Sequence, residues 1–240
     1  DTTIVLVGVA ETVEALVRDH QSIQRAISQV PMPRMEAKEL REIIENATKS
    51  LREKSSVPIE FEAAAIDRIV RISQGLPHYT HLASLHSLRA ACDACSEVVG
   101  LQHVKEGFRR AVAQADQTTA HSYRVATASA QQDALYRDVL LACAVAAFGS
   151  EDPEGYFQPS AVQEPLRVIL DRPRVDVSTF NRHLKEFCDR KREKVLERRG
   201  QERNYRYRFR LPLMAPYAAI RGMSEDAITY EAFEDLLRRE

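Results

Sequence analysis

Apolar positions change their spacing along this chain, and each change predicts a different kind of element. Thr2-Thr3-Ile4-Val5-Leu6-Val7-Gly8-Val9 is a continuous β-branched run, which predicts a strand covered on both faces in a parallel sheet. Parallel neighbours need crossover connections that these 240 residues do not supply, so the run reads as one strand of a larger sheet whose partners precede Asp1. Val13, Leu16 and Val17 then carry helical spacing, Ser22–Ile27 predicts a short helical piece, and Ile27–Pro31 a second strand ended by Pro31 and Pro33.

From Met35 the period is helical throughout. Leu40, Ile43, Ile44, Ala47 and Leu51 predict one amphipathic helix, and Ala65, Ile66, Ile69, Val70 and Ile72 a second, stopped at Gly75. Leu76-Pro77 opens a third helix, whose buried face is expected to be Leu82, Leu85, Leu88 and Ala91; Gly100-Leu101 separates it from a fourth, Val104 to about Asp116. Short connections make these four a compact helical bundle. Thr118–Ala130 is polar and reads as a linker or a helix extension. Beyond it come helices over Asp133–Phe148, Pro159–Leu170 and Ser178–Lys191, the last with Ser178 as its cap. Tyr205-Arg206-Tyr207-Arg208-Phe209-Arg210 alternates aromatic and basic residues with period two, and with Val195–Arg198 it predicts a hairpin around Gly200. Three helices followed by a hairpin is the order of a winged-helix domain, with a last helix near Ile228–Arg239. The expected fold is therefore mainly α: a remnant of a parallel α/β core (1–33), a helical lid bundle (34–120), a winged-helix domain with a β-hairpin wing (121–222) and a C-terminal helix (223–240).

Composition narrows the function classes. Eight glycines and ten prolines are too few for a collagenous or disordered chain, and no apolar run approaches the roughly 18 residues that cross a bilayer. Four cysteines do not make a disulfide framework, which predicts a cytoplasmic protein. Lys and Arg number 34 against 35 Asp and Glu, so affinity for nucleic acid must come from segregated charge. Segregation is present. Between Arg182 and Arg210 stand twelve cations (Arg182, Lys185, Arg190, Lys191, Arg192, Lys194, Arg198, Arg199, Arg203, Arg206, Arg208 and Arg210) and five anions (Glu186, Asp189, Glu193, Glu197 and Glu202), a surplus of seven. Cations on a third helix and a wing are where duplex DNA would meet a winged helix, and Arg182, Lys185, Arg190, Lys191, Arg198, Arg199, Arg203 and Arg206 are the expected contacts. A solvated face held by pairs such as Glu186–Arg190 is the competing reading.

Other chemistry is sparse. The sequence carries no Gly-x-x-x-x-Gly-Lys-Ser/Thr loop, no Gly-x-Gly-x-x-Gly turn and no nucleophile elbow. Cys92-Asp-Ala-Cys95 has metal or redox spacing, yet it falls mid-helix without a second pair and reads as two buried thiols; His78, His81 and His86 lack a suitably spaced carboxylate, so no metal site is expected.

In order and spacing the chain resembles the second half of an AAA+ ATPase of the origin-initiator-like group, close to the STAND ATPases and bacterial transposition ATPases. The carriers are Ile4–Glu11, Ser22–Ile27, Met32-Pro33-Arg34-Met35 with Glu39–Ile44, Gly75-Leu76-Pro77-His78, and Tyr207–Met214. The resemblance implies a sensor strand whose tip, at Glu11, faces the γ-phosphate where the family often has Asn or Thr. It implies an arginine finger at Arg25, a lid turn at Gly75, Leu76 and Pro77 against the adenine, and a sensor position at His78 where the family usually has Arg. By the same resemblance, ATP or ADP with Mg²⁺ would be held by the full-length protein but not by this chain alone, which lacks the phosphate loop and metal-binding carboxylates and is expected to be inactive as an ATPase. The implied function is a nucleotide-controlled switch that repositions a DNA-binding winged helix and self-associates through its ATPase core, with no membrane partner. A STAND-like protein-interaction module without DNA binding is the alternative.

Overall fold

The computed structural model describes residues 33–55, 58–131, 134–152, 154–201 and 204–238. Residues 1–34 and 35–240 form separate units, and every element below belongs to the second. The strands expected at 2–9 and 27–31 and the helical pieces between them lie outside the described residues.

The described part is mainly helical. Helix α1 (Ala37–Ser55) buries Leu40 and Ile44 and ends on Arg52 and Lys54, cations that complement the negative end of its dipole. A two-residue strand β1 (Glu60–Phe61) follows, then α2 (Ala63–Ser73), α3 (Pro77–Asp93), a second short strand β2 (Val98–Val99), α4 (Leu101–Ala113) and α5 (Gln117–Thr127). β1 and β2 pair in parallel, Glu60 with Val98 and Phe61 with Val99. Neither strand is long enough to show period two, so hydrophobic patterning predicts neither. Asp116 caps α5 by accepting the Thr119 amide at 2.9 Å. The segment expected to be a linker or extension is thus a helix of its own, anchored by buried Tyr123 and Ala126.

The face of α3 differs from expectation. Leu85 is 42% exposed, and the buried face is Tyr79, Thr80, Ala83, His86, Ser87, Ala90 and Ala91. Small residues win there because α4 comes very close: a Cβ on Gly107 would lie 2.3 Å from Ser87 Oγ and 2.7 Å from Ser87 N. The leucines are larger than that gap admits.

Helix α6 (Tyr136–Phe148) is buried from Val139 to Ala146. It is followed by a 3₁₀ turn (Pro159–Val162), α7 (Gln163–Ile169), α8 (Val177–Phe187), a 3₁₀ turn (Arg190–Arg192), and the antiparallel strands β3 (Leu196–Arg199) and β4 (Arg206–Phe209). Helix α8 is shorter than the predicted Ser178–Lys191, and its N-cap is Asp176, without a side-chain cap bond, instead of Ser178. Helices α9 (Met214–Ser224) and α10 (Tyr230–Arg238) close the chain. α9 packs against α2, α4, α5 and α6, and Tyr79 donates from α3 to the Leu213 carbonyl at its start, at 2.8 Å. Where α9 crosses α6, a Cβ on Gly222 would lie 2.6 Å from Leu141 Cδ2. α10 lies on α2 through Arg68, whose guanidinium sits 3.7 Å over the Tyr230 ring and pairs with Glu231, while Arg71 pairs with the nearly buried Glu234 at 2.6 Å. One core runs through all of this, from Leu40 to Leu236.

A candidate anion-binding groove

Helix α8 owes its place to α6. Phe180, Leu184 and Phe187 are fully buried on one stripe, which leaves Ser178, Thr179, Arg182 and Lys185 on the exposed face. Its flank is fixed by Glu186, which accepts from the Tyr136 hydroxyl and from Arg182 at 2.6 Å. Those bonds, the Tyr136 hydroxyl first, hold the Glu186 carboxyl below its ordinary range. The expected partner Arg190 is not in that pair, because the helix ends at Phe187 and Arg190 opens the following turn.

That turn sets the groove. Glu193 and Lys194 are both left-handed, with φ of 57° and 47°, a conformation that residues with side chains adopt only at a cost of order 1 kcal/mol or more each. The Lys194 amide is held on the Asp189 carbonyl at 3.0 Å. Arg192 goes the other way: it stacks 3.7 Å over Tyr136 and donates to the carbonyls of Ala126 and Ala128 at the end of α5, a structural role at a negative helix terminus.

The hairpin then divides its cations between two faces. Leu196 opposes Phe209, Glu197 opposes Arg208, Arg198 opposes Tyr207 and Arg199 opposes Arg206. Phe157 adds a single bridge on the far side of β4, exchanging two bonds of 2.8 Å with Tyr207. On one face Arg199 pairs with Asp152 at 2.7 Å and with Glu154, Arg206 reaches Asp152 at 3.3 Å, and Arg208 pairs with Glu197. Tyr156 lies among them, 4.0 Å from the Arg199 guanidinium, and donates to Glu197 at 2.9 Å. This face is a brace between hairpin and loop 149–158.

The other face is covered at Leu196 and Tyr207, and a groove opens beside it at the end of α8. Lys185, Arg190, Lys194, Arg198 and Arg210 line a groove of about 850 Å³ with Cys188, Asp189, Leu196 and Glu197. Among the described residues none of these five cations forms an ion pair within 4 Å; Arg198 is steadied by stacking 4.7 Å over Tyr205. Five cations line one concavity with two carboxylates, a surplus of positive charge that suits a phosphate backbone.

The expected DNA contacts therefore separate. Lys185, Arg190 and Arg198 line the groove, Lys191 is exposed beside it, Arg182 is tied to Glu186, and Arg199 and Arg206 lie in the brace. Arg203 lies outside the described residues, as do Glu11 and Arg25. Lys194 and Arg210 belong to the groove, and their membership in the basic segment was the available signal. In the Gly75–His78 turn, Gln74 and Gly75 are left-handed at 50° and 74°, which is why glycine stands there. Met35 donates to the Gly75 carbonyl at 3.0 Å, Leu76 is the N-cap, Pro77 opens α3, and His78 is exposed.

The three histidines do not converge: His86 is buried against Gln114 at 3.1 Å, while His78 and His81 are exposed. Among the described residues no three metal-ligating side chains come together, and no helix is long and apolar enough to cross a membrane. Cys92 and Cys95 are exposed, not buried as expected, because α3 ends at Asp93 and the thiols fall on its last turn and the loop beyond.

Asp152 holds the brace together. Burial works against its charge, but the amides of Glu154 and Tyr156 and the charges of Arg199 and Arg206 outweigh that and lower its pKa. A depressed carboxylate contributes stability above its ordinary range and loses it as pH falls through the lower folded value. Protection of the Phe157 and Tyr207 amides, taken relative to intrinsic exchange at the same pH, is accordingly expected to fall below about pH 3.9. Asp152→Asn should bring the same loosening at neutral pH and loosen Arg206 while Arg199 keeps Glu154, steepening the salt dependence of any polyanion binding by about 0.9 if Arg206 reaches a phosphate.

Neither a protein-family model nor a curated protein sequence matches this chain. Among solved structures it is similar to the crystal structure of Cdc6p from Pyrobaculum aerophilum, at 12% identity and a TM-score of 0.34, over 94% of this chain and 55% of that one. The chain thus spans about half the length of that structure.

Proposed function

We propose that the groove lined by Lys185, Arg190, Lys194, Arg198 and Arg210 is a duplex DNA contact, carried on a winged-helix arrangement. The observation that carries this is the convergence of five cations that form no ion pair among the described residues, while Arg199 and Arg206 of the same hairpin are neutralised. The order α6, the Phe157 bridge, α7, α8 and the β3–β4 hairpin supports the winged-helix reading of 121–222. The exposed Ser178, Thr179, Arg182 and Lys185 give α8 the polar face that a groove-entering helix needs.

The larger assignment proposed around this contact is as follows. Segment 34–120 is a lid, 223–240 a closing helix, and the whole the C-terminal part of an AAA+ ATP-binding protein whose lid follows ATP or ADP with Mg²⁺ and repositions the wing. The Gly75–His78 turn would face the nucleotide, and self-association would run through the ATPase core. In that assignment the chain's own residues bind and position, and the phosphoryl chemistry belongs to the upstream core.

Fluorescence anisotropy with a labelled duplex tests the DNA contact. Binding should weaken with salt along a log–log slope of about −4.5, from about 0.9 for each of five phosphates neutralised. No affinity at low ionic strength would remove the functional half of the reading and favour a protein-interaction module.

A further inference from the structure

We infer that Cys92 and Cys95 form a redox-active dithiol that closes to a disulfide when it meets a low-molecular-weight disulfide of the glutathione type. Both thiols are exposed. Their backbone spacing is set by a turn: the Cys95 amide donates to the Cys92 carbonyl at 2.9 Å, and Ala94 has φ −86° and ψ 4°, the third position of a type I turn. Such a turn keeps its end Cα atoms under about 7 Å apart, and disulfides span about 4.4–6.8 Å. The turn is itself pinned, since the Ser96 amide reaches back to the Ala91 carbonyl at 2.9 Å, with Cys95 left-handed at φ 52°. The two cysteines thus stand at the ends of an exposed, hydrogen-bonded turn with their Cα atoms within the range a disulfide spans.

The other two cysteines are built for inertness. Cys143 is fully buried, and desolvation pushes its thiol well above the ordinary range. Burial likewise lifts Cys188 to about 11, so both stay protonated at neutral pH and attack slowly. The chemistry at the turn balances as thiol–disulfide exchange. One cysteine, as thiolate, attacks the S–S bond of oxidised glutathione, forming a mixed disulfide and releasing one glutathione thiolate. The second loses its proton to solvent and attacks the protein-side sulfur of that mixed disulfide, expelling the other glutathione. Two protein thiols give up two electrons and two protons, and one oxidised glutathione becomes two reduced molecules.

Intact-mass and peptide-mass analysis of the folded chain, treated with oxidised glutathione and then alkylated, decides the matter independently of any DNA binding. The expected product is lighter by two hydrogens, carries no glutathione, and is protected from alkylation at Cys92 and Cys95. In Cys92→Ser, Cys95 should instead retain glutathione, because nothing is left to expel it. Stable glutathione on Cys92 or Cys95 of the unaltered chain, a bridge involving Cys143 or Cys188, or alkylation of both turn cysteines after oxidation would each overturn the assignment.

Discussion

Replacing Lys194, Arg198 and Arg210 together by glutamate is expected to abolish duplex binding while leaving the helical circular-dichroism signal unchanged. The three side chains line one groove with Lys185 and Arg190. Reversal turns five cations against two carboxylates into two against five, which repels a phosphate backbone. Alanine at the same positions should give a milder result, binding with a salt slope shallower by about 1 for each phosphate no longer neutralised. Arg199→Ala is the informative comparison. Its guanidinium is committed to Asp152 and Glu154, so it should cost hairpin stability and little affinity. An equal loss of affinity from Arg199→Ala and Arg198→Ala would place the DNA on the braced face. Unchanged binding in the glutamate variant would move it off the hairpin altogether.

Gly107→Ala should destabilise the fold, reversing the usual sign. In a helix interior that exchange ordinarily gains about 1 kcal/mol from propensity. Here the new methyl would stand 2.7 Å from Ser87 N and 2.8 Å from Ser87 Cα, main-chain atoms that move only if α3 and α4 separate. Overpacking of this kind costs about 1–3 kcal/mol, and Gly107→Val should cost more. The midpoint of urea unfolding, followed by circular dichroism, measures it. Adding Ser87→Gly should recover only part of the loss, because it removes the hydroxyl at 2.3 Å and leaves the backbone clashes. A raised midpoint in Gly107→Ala would mean that the two helices are free to part.

These two expectations also mark what could be read from the sequence. The hairpin was legible because Tyr205–Arg210 alternates strictly, and α1, α2, α4 and α6 were legible because their large apolar residues recur at helical spacing. The buried face of α3 was not, since the leucine pattern favours Leu82, Leu85 and Leu88 whereas Gly107 across the interface demands alanine and serine. Helix α5 was obscured by its polar composition, although Asp116 and Thr119 carry a capping signal. The basic segment pointed to a candidate anion site, but not to which cations remain available. That depends on Asp152, 47 positions away from Arg199 in the chain, and no local pattern encodes such a distance. The exposure of the Cys92 and Cys95 thiols was hidden for a smaller reason: the helix stops one residue after Cys92.

Helix α9 touches much of the first layer, yet it is synthesised late. Leu213, which receives the Tyr79 hydroxyl, follows it by 134 positions. At a synthesis rate of about 5–20 residues per second, the residues of α2–α4 wait roughly 5–30 s on the ribosome before Leu213 is made. For that interval Ile69 and Val104, both sealed in the finished protein, lack part of their cover, and the nascent chain is a natural client for a holding chaperone.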